Sequence, residues 1–180
     1  MKLVKKYFFL FGIAGAIIAL DQVTKNLVKT NLASGESWLP WSWLGNFARI
    51  VNWHNTGAAF GLFQNGNTVF TILAVVVAIV IIFYYPQVPQ KEKLMRVAMA
   101  MQLGGAVGNL IDRITQGFVT DFISIGNFPV FNVADSSITI GVGVLLLGMW
   151  LEERRTKLKT KNEEDYRDSI MQDTNLENKS

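Results

Sequence analysis

At 180 residues, half of them hydrophobic, the chain has the size of one compact unit rather than of several soluble domains. It contains no cysteine, which excludes disulfides, thiolate catalysis and cysteine-held metals, and its one histidine, His54, cannot make a multi-histidine metal site by itself. The net charge of +3 does not point to nucleic acid, because the basic residues cluster at the ends of apolar runs, the distribution that orients membrane proteins.

Uncharged apolar runs occupy residues 7–20, 69–85, 97–111 and 136–151. Each is a little shorter than the ~20 residues that cross ~30 Å of hydrocarbon, and extension over the flanking polar residues makes up the difference. The sequence therefore predicts an all-α membrane protein with four transmembrane helices in one unit, residues 1–152. External loops fall at about 26–68 and 114–135, and the first of them is β-containing and rich in aromatic residues. Residues 153–180 form a charged cytoplasmic tail.

Lys2, Lys5 and Lys6 precede the first run in the manner of a secretory signal. No small-x-small cleavage site followed by a polar start is present. The run passes instead into Asp21-Gln22-Val23-Thr24-Lys25, through which a helix can continue, so an uncleaved first helix is expected. Asp21 and Lys25 are four apart and share a helical face. They read either as a snorkelling interfacial ion pair or as part of substrate handling.

The first loop carries Trp38, Trp41, Trp43 and Trp53, with Phe47, Phe60 and Phe63. Aromatic side chains favour the headgroup level, so the loop should lie on the membrane surface, as an anchoring belt or as a substrate contact. Residues 47–53 alternate in polarity and predict a short strand in a small sheet. Asn55, Gly57, Ala58 and Ala59 follow: an amide able to bind main-chain groups, then small side chains that let another backbone approach. His54 reads as a surface residue. Pro86 and Pro89 end the second span in a tight turn followed by Lys91, Lys93 and Arg96. With the terminal cations, these residues place both termini and this turn in the cytoplasm.

In the third run Gly104, Gly105 and Gly108 predict close helix packing. Asn109 and Arg113 are four apart and share a face, and Asp112 beside Arg113 reads as a buried ion pair tying helices together. Asp121 then follows a short extended segment. Asp135 opens the fourth helix, where unpaired N–H groups favour a negative charge, and Ser136 reads as a capping residue. Two carboxylates held close in a partly dry site share a proton, the acid–base logic of aspartic proteases. By spacing alone the two could equally be helix caps. Past Glu152 the tail is poor in apolar residues, so disorder is expected beyond its first turns, or at most a loose helix along the membrane surface.

The blocks Asp21-Gln22-x-x-Lys25, Asn55-x-Gly57-Ala58-Ala59-Phe60, Gly104-Gly105-x-x-Gly108-Asn109-x-x-Asp112-Arg113, Val119-x-Asp121-Phe122 and Phe131-Asn132-x-Ala134-Asp135-Ser136 resemble, in that order, the signature of lipoprotein signal peptidase, the bacterial signal peptidase II. The resemblance runs from the first span through the fourth and excludes the tail. It implies that Asp121 and Asp135 are the catalytic aspartates of an intramembrane-type aspartic endopeptidase. Asp21, Lys25, Asn55, Gly57, Asn109, Asp112, Arg113, Asn132 and Ala134 match positions that support or line such a site. The implied reaction removes the signal peptide from a diacylglyceryl-modified prolipoprotein, cutting just before the lipidated cysteine, with no metal and no cofactor. The expected setting is the bacterial plasma membrane, with the site toward the outer leaflet. Expected partners are lipid-modified prolipoproteins and membrane lipids, without nucleic acid, and the chain should act as a monomer. A small ion-coupled transporter or scaffold competes with this reading. It predicts charge near the bilayer middle, whereas the acids here gather at one face.

Overall fold

The structure is a computed structural model and describes residues 2–40, 43, 47–57 and 66–177. Helices α1 (Lys2–Asn31), α2 (Asn67–Tyr84), α3 (Lys93–Gln116) and α4 (Val133–Glu177) form a bundle. Among the described residues, four helical segments are long and apolar enough to cross a membrane: Tyr7–Asn31, Asn67–Gln87, Lys93–Gln116 and Val133–Glu163. Strands β1 (Ser37–Trp38), β2 (Ala48–Asn55) and β3 (Val119–Ile125) make an antiparallel sheet in the order β1-β2-β3 at one end of the bundle.

Helix α3 is central and packs on α1, α2 and α4. Its small side chains explain the position. A Cβ on Gly104 would lie 3.0 Å from the Ala14 carbonyl of α1, and one on Gly105 would lie 2.5 Å from the Ala134 carbonyl of α4. The glycine face thus receives a helix on each side, the close approach that small residues permit in membranes. By contrast α2 is apolar all round, and Val69, Ile72, Val80 and Phe83 point outward, as they would toward lipid.

At the end opposite the sheet, the Tyr7 hydroxyl donates to the Ile82 carbonyl at 3.1 Å. There the Arg96 guanidinium lies 4.1 Å from the Tyr85 ring centre, and Lys91 bridges to Glu152 at 3.1 Å. Arg96 is therefore buried structure rather than an exposed basic anchor. The three-residue 3-10 turn Tyr85–Gln87, with Pro86 inside it, ends α2 as the prolines predict. Of the two expectations for the tail, the described residues take the helical one. Helix α4 continues without interruption through Glu177, a length of ~67 Å at 1.5 Å per residue. The charge content that suggested disorder is carried by good helix formers, with Lys157–Glu153 at 2.6 Å and Lys159–Glu163 at 3.8 Å pairing along the helix.

The alternating segment is a strand, extended to Asn55, and it pairs with β3 so that Trp53 faces Asp121 and Asn55 faces Val119. Trp38, Trp43, Trp53 and Phe47 are exposed, as an interfacial aromatic group should be. Trp41, Ala58, Ala59, Phe60 and Phe63 lie outside the described residues. The sheet is fastened to α1 by the Asn52 side chain, which donates to the Leu32 carbonyl at 2.9 Å. After β3 the chain turns at Gly126 and returns along the strand, and Phe131 bridges Ile123 through main-chain bonds of 2.8 and 3.1 Å. This return brings the start of α4 back beside Asp121.

Candidate active site

Three polar layers build the site from α1 inward. The first is an ion cluster. Lys25 is fully buried and its ammonium lies 2.8 Å from Asp21 Oδ2 and 3.1 Å from Asp112 Oδ2. The i,i+4 pairing read from the sequence is present, but it is a core cluster shared with α3 and not a snorkelling interfacial pair. Asp112 also accepts the Thr120 main-chain N–H at 3.0 Å and so pins the start of β3. Arg113 is not its partner, contrary to expectation. Successive side chains on a helix point about 100° apart, and Asp112 faces α1 while Arg113 faces the Phe70 ring of α2 at 5.5 Å. Among the described residues Arg113 makes no ion pair.

The second layer is the start of α4, whose first N–H groups need acceptors. Asp21 Oδ1 takes the Ala134 N–H at 2.9 Å, and Asn132 Oδ1 takes the Asp135 N–H at 2.9 Å. Asp135 Oδ2 in return accepts the Asn132 N–H at 3.2 Å, a reciprocal capping box. The cap is thus Asn132, assisted by Asp21 from another helix, and not Ser136, whose hydroxyl donates back to the Asn132 carbonyl at 2.9 Å. Gly108 makes room for this joint: a Cβ there would sit 2.8 Å from Asp21 Oδ2.

The third layer is the amide set around the two remaining carboxylates. Asn132 Nδ2 donates to Asp121 Oδ1 at 2.6 Å, and Asn55 Nδ2 donates to Asp121 Oδ2 at 2.8 Å. Asn55 is held in turn by the Gly57 N–H at 2.9 Å. Asn109 Nδ2 donates to Asp135 Oδ1 at 2.7 Å. Asp121 and Asp135 both line one groove of about 770 Å³, with Asn55, Asn109 and Arg113 at the same end of it. Deeper in, the walls are apolar side chains of α2 and α4, such as Leu73, Val77 and Ile138. Burial, and then the charge of Asp135, push the Asp121 carboxyl up to about 7, against the pull of the Asn55 and Asn132 amides and of Lys25.

Every site residue singled out in the sequence is described, and ten of the eleven, all but Arg113, are joined through these bonds. Asp21, Lys25 and Asp112 do not line the groove and act behind it. Sequence reasoning passed over two participants. Gln22 donates to Asp21, to the Gly108 carbonyl and to Asp112 at 3.1–3.3 Å, and Thr120 supplies the N–H that Asp112 accepts. Gln22 stands beside Asp21 in the first signature block, but nothing in its spacing announces three partners on two helices.

The chain is thus a multi-pass membrane bundle whose lateral groove ends on two amide-held carboxylates, the buried Asp121 and the half-buried Asp135. Residues 13–151 match the family model described as Signal peptidase (SPase) II. The chain is 44% identical over 129 residues to the lipoprotein signal peptidase of Moorella thermoacetica, which covers 72% of this chain and 84% of that protein. It is 36% identical over 151 residues to the lipoprotein signal peptidase of Staphylococcus haemolyticus, covering 81% and 94%. A bacterial membrane enzyme solved by the in meso method at 2.3 Å superposes with a TM-score of 0.73 at 34% identity, over 80% of this chain and 88% of that one. The chain belongs to the signal peptidase II family, and it is a bacterial multi-pass membrane protease that removes signal peptides from prolipoproteins.

Proposed function

We propose that the protein is an aspartic endopeptidase in which Asp121 and Asp135 are the catalytic dyad. Its substrate is a diacylglyceryl-modified prolipoprotein, cut just before the lipidated cysteine. The observation that carries this reading is the meeting of the buried Asp121 and the half-buried Asp135 at the head of one groove, with Asp121 able to hold a proton near neutrality. The groove supports the substrate class. Helices α2 and α4 both pack on α3 and barely on each other, which leaves a side entrance through which a signal helix can slide from the bilayer. The exposed Trp53, which faces Asp121 across the sheet, suits a lipid-bearing cysteine at the interface. The test is to incubate the purified protein with a prolipoprotein peptide carrying the diacylglyceryl group and with the same peptide lacking it. Cleavage of the lipidated peptide alone is expected, and equal rates would overturn the substrate assignment.

Both termini are cytoplasmic in this reading, and the site faces the outer leaflet. Of Lys25, Lys29, Arg49 and Arg113, the basic residues at the sheet end, Lys25 is balanced inside its ion cluster, which sharpens the charge asymmetry between the two ends. A reporter fused after Glu153 should therefore read cytoplasmic, and one inserted at Gly35 or Asn127 external. An external reading after Glu153 would reverse the assignment.

A further inference from the structure

Lys25 is buried and touches neither carboxylate of the dyad, yet the amide network that grips them ends on it. A chain of asparagine amides takes its sense from the points where it meets groups that can only donate or only accept. The Lys25 ammonium can only donate, so the Asn109 atom facing it at 2.9 Å is the oxygen. That oxygen also takes the Asn132 amide at 3.1 Å. The Asn109 NH₂ is thereby turned to Asp135. Asn132 is oriented independently, because its oxygen faces the main-chain N–H of Asp135, another obligate donor.

Each dyad carboxylate thus has an N–H donor on both oxygens, and the difference lies one step further back. Behind Asn109 stands the Lys25 ammonium, shared with Asp21 and Asp112, and Asp135 itself sits in the first turn of α4, where the helix dipole favours an anion. Behind Asn55 stands, among the described residues, the Gly57 N–H alone. The other charged groups do not reverse this order. Asp21 of α1 and Asp112 of α3 are engaged by Lys25 itself, Arg113 of α3 lines the groove beside both aspartates, and α2 lines it with uncharged side chains.

Resting on the dyad reading above, we infer that Lys25 is a positioning residue that acts through Asn109 to fix the negative charge on Asp135 and to leave the shared proton on Asp121. The elevated proton affinity of Asp121 agrees with this assignment. Asp135 then takes a proton from water as the water oxygen attacks the scissile carbonyl carbon, and Asp121 gives its proton to the carbonyl oxygen. On collapse Asp135 passes its proton to the departing nitrogen, Asp121 recovers one from a diol hydroxyl, and the C–N bond breaks. Both aspartates end as they began.

The test follows the carboxyl carbons of ¹³C-labelled aspartate by NMR in the full-length protein, with the dyad signals assigned by their loss in Asp121→Asn and Asp135→Asn. The Asp121 signal should titrate at about 7, with Asp135 already ionised at the acid end of that transition. The reverse order would overturn the inference, and this arm needs no change at Lys25. Lys25→Met should in addition move the acidic limb of the pH–rate profile to higher pH, so that the rate on that limb falls about tenfold for every pH unit the limb moves. In an Asn109→Ala background it should add nothing to that limb. A uniformly slower enzyme with an unmoved profile would make Lys25 merely structural and sink the inference while the dyad stands. Cleavage retained in Asp121→Asn and Asp135→Asn would instead remove the dyad reading itself.

Discussion

Asp121→Asn and Asp135→Asn are each expected to cost ~10²–10⁴-fold in cleavage rate, the usual scale for a lost general acid or base. The double variant should be hardly slower than either single, because the two act as one unit. Asparagine keeps the volume of the site but cannot cycle a proton. It also sets one NH₂ against a neighbouring donor, from Asn132 or Asn55 at position 121 and from Asn109 or the Asn132 main chain at position 135. That mismatch costs about 1–3 kcal/mol, a loss a folded bundle tolerates. Turnover of the lipidated peptide, read beside thermal unfolding in detergent, separates the two effects. Near-parental turnover in a folded variant would reduce the pair to helix caps.

The second large effect is expected at Asp21, and it falls on stability. Asp21→Ala removes one partner of a buried ammonium and an acceptor from the start of α4. Breaking a buried pair in this way costs about 3–5 kcal/mol, and a lost cap adds about 1 kcal/mol. Asp21 lies outside the groove, so the chemistry of whatever protein remains folded should survive. The expected signature is a large drop in unfolding temperature with kcat per folded molecule nearly intact. A stable protein with a lowered kcat would place Asp21 at the substrate instead.

The span pattern, the alternating strand and the Asp21–Lys25 pairing were legible in the sequence because each depends on a short period: uninterrupted apolar runs, alternation by two, spacing by four. What lay beyond reach was which helices share the cluster. Lys25 meets Asp112 and Asn109 across more than eighty positions, and no local rule selects Lys25 over the adjacent Arg113 as the partner of Asp112. The Asp112–Arg113 reading failed because adjacency in a helix separates side chains rather than joining them. Strand β1, with two residues, carries no alternation to read. The capping role of Asn132 was hidden for another reason: Ser136 also has the right residue type near a helix start, and only the path of the chain through Phe131 decides between them.

The glycine face of α3 and the ion cluster beside it bear on how the protein is made. While its helices are still separate in the bilayer, Asp21 and Lys25 can pair four apart on α1, but Asp112 of α3 lacks its cation, and such a charge in hydrocarbon carries a penalty of about 2.5–3.5 kcal/mol or more. That penalty is relieved when α1 closes on α3 beside Gly104 and Gly108. A bundle in which α1 does not reach α3 leaves the Asp112 charge bare. The cluster behind the carboxylates therefore also favours assembly of α1 on α3, because that contact is the one that supplies Asp112 with its cation.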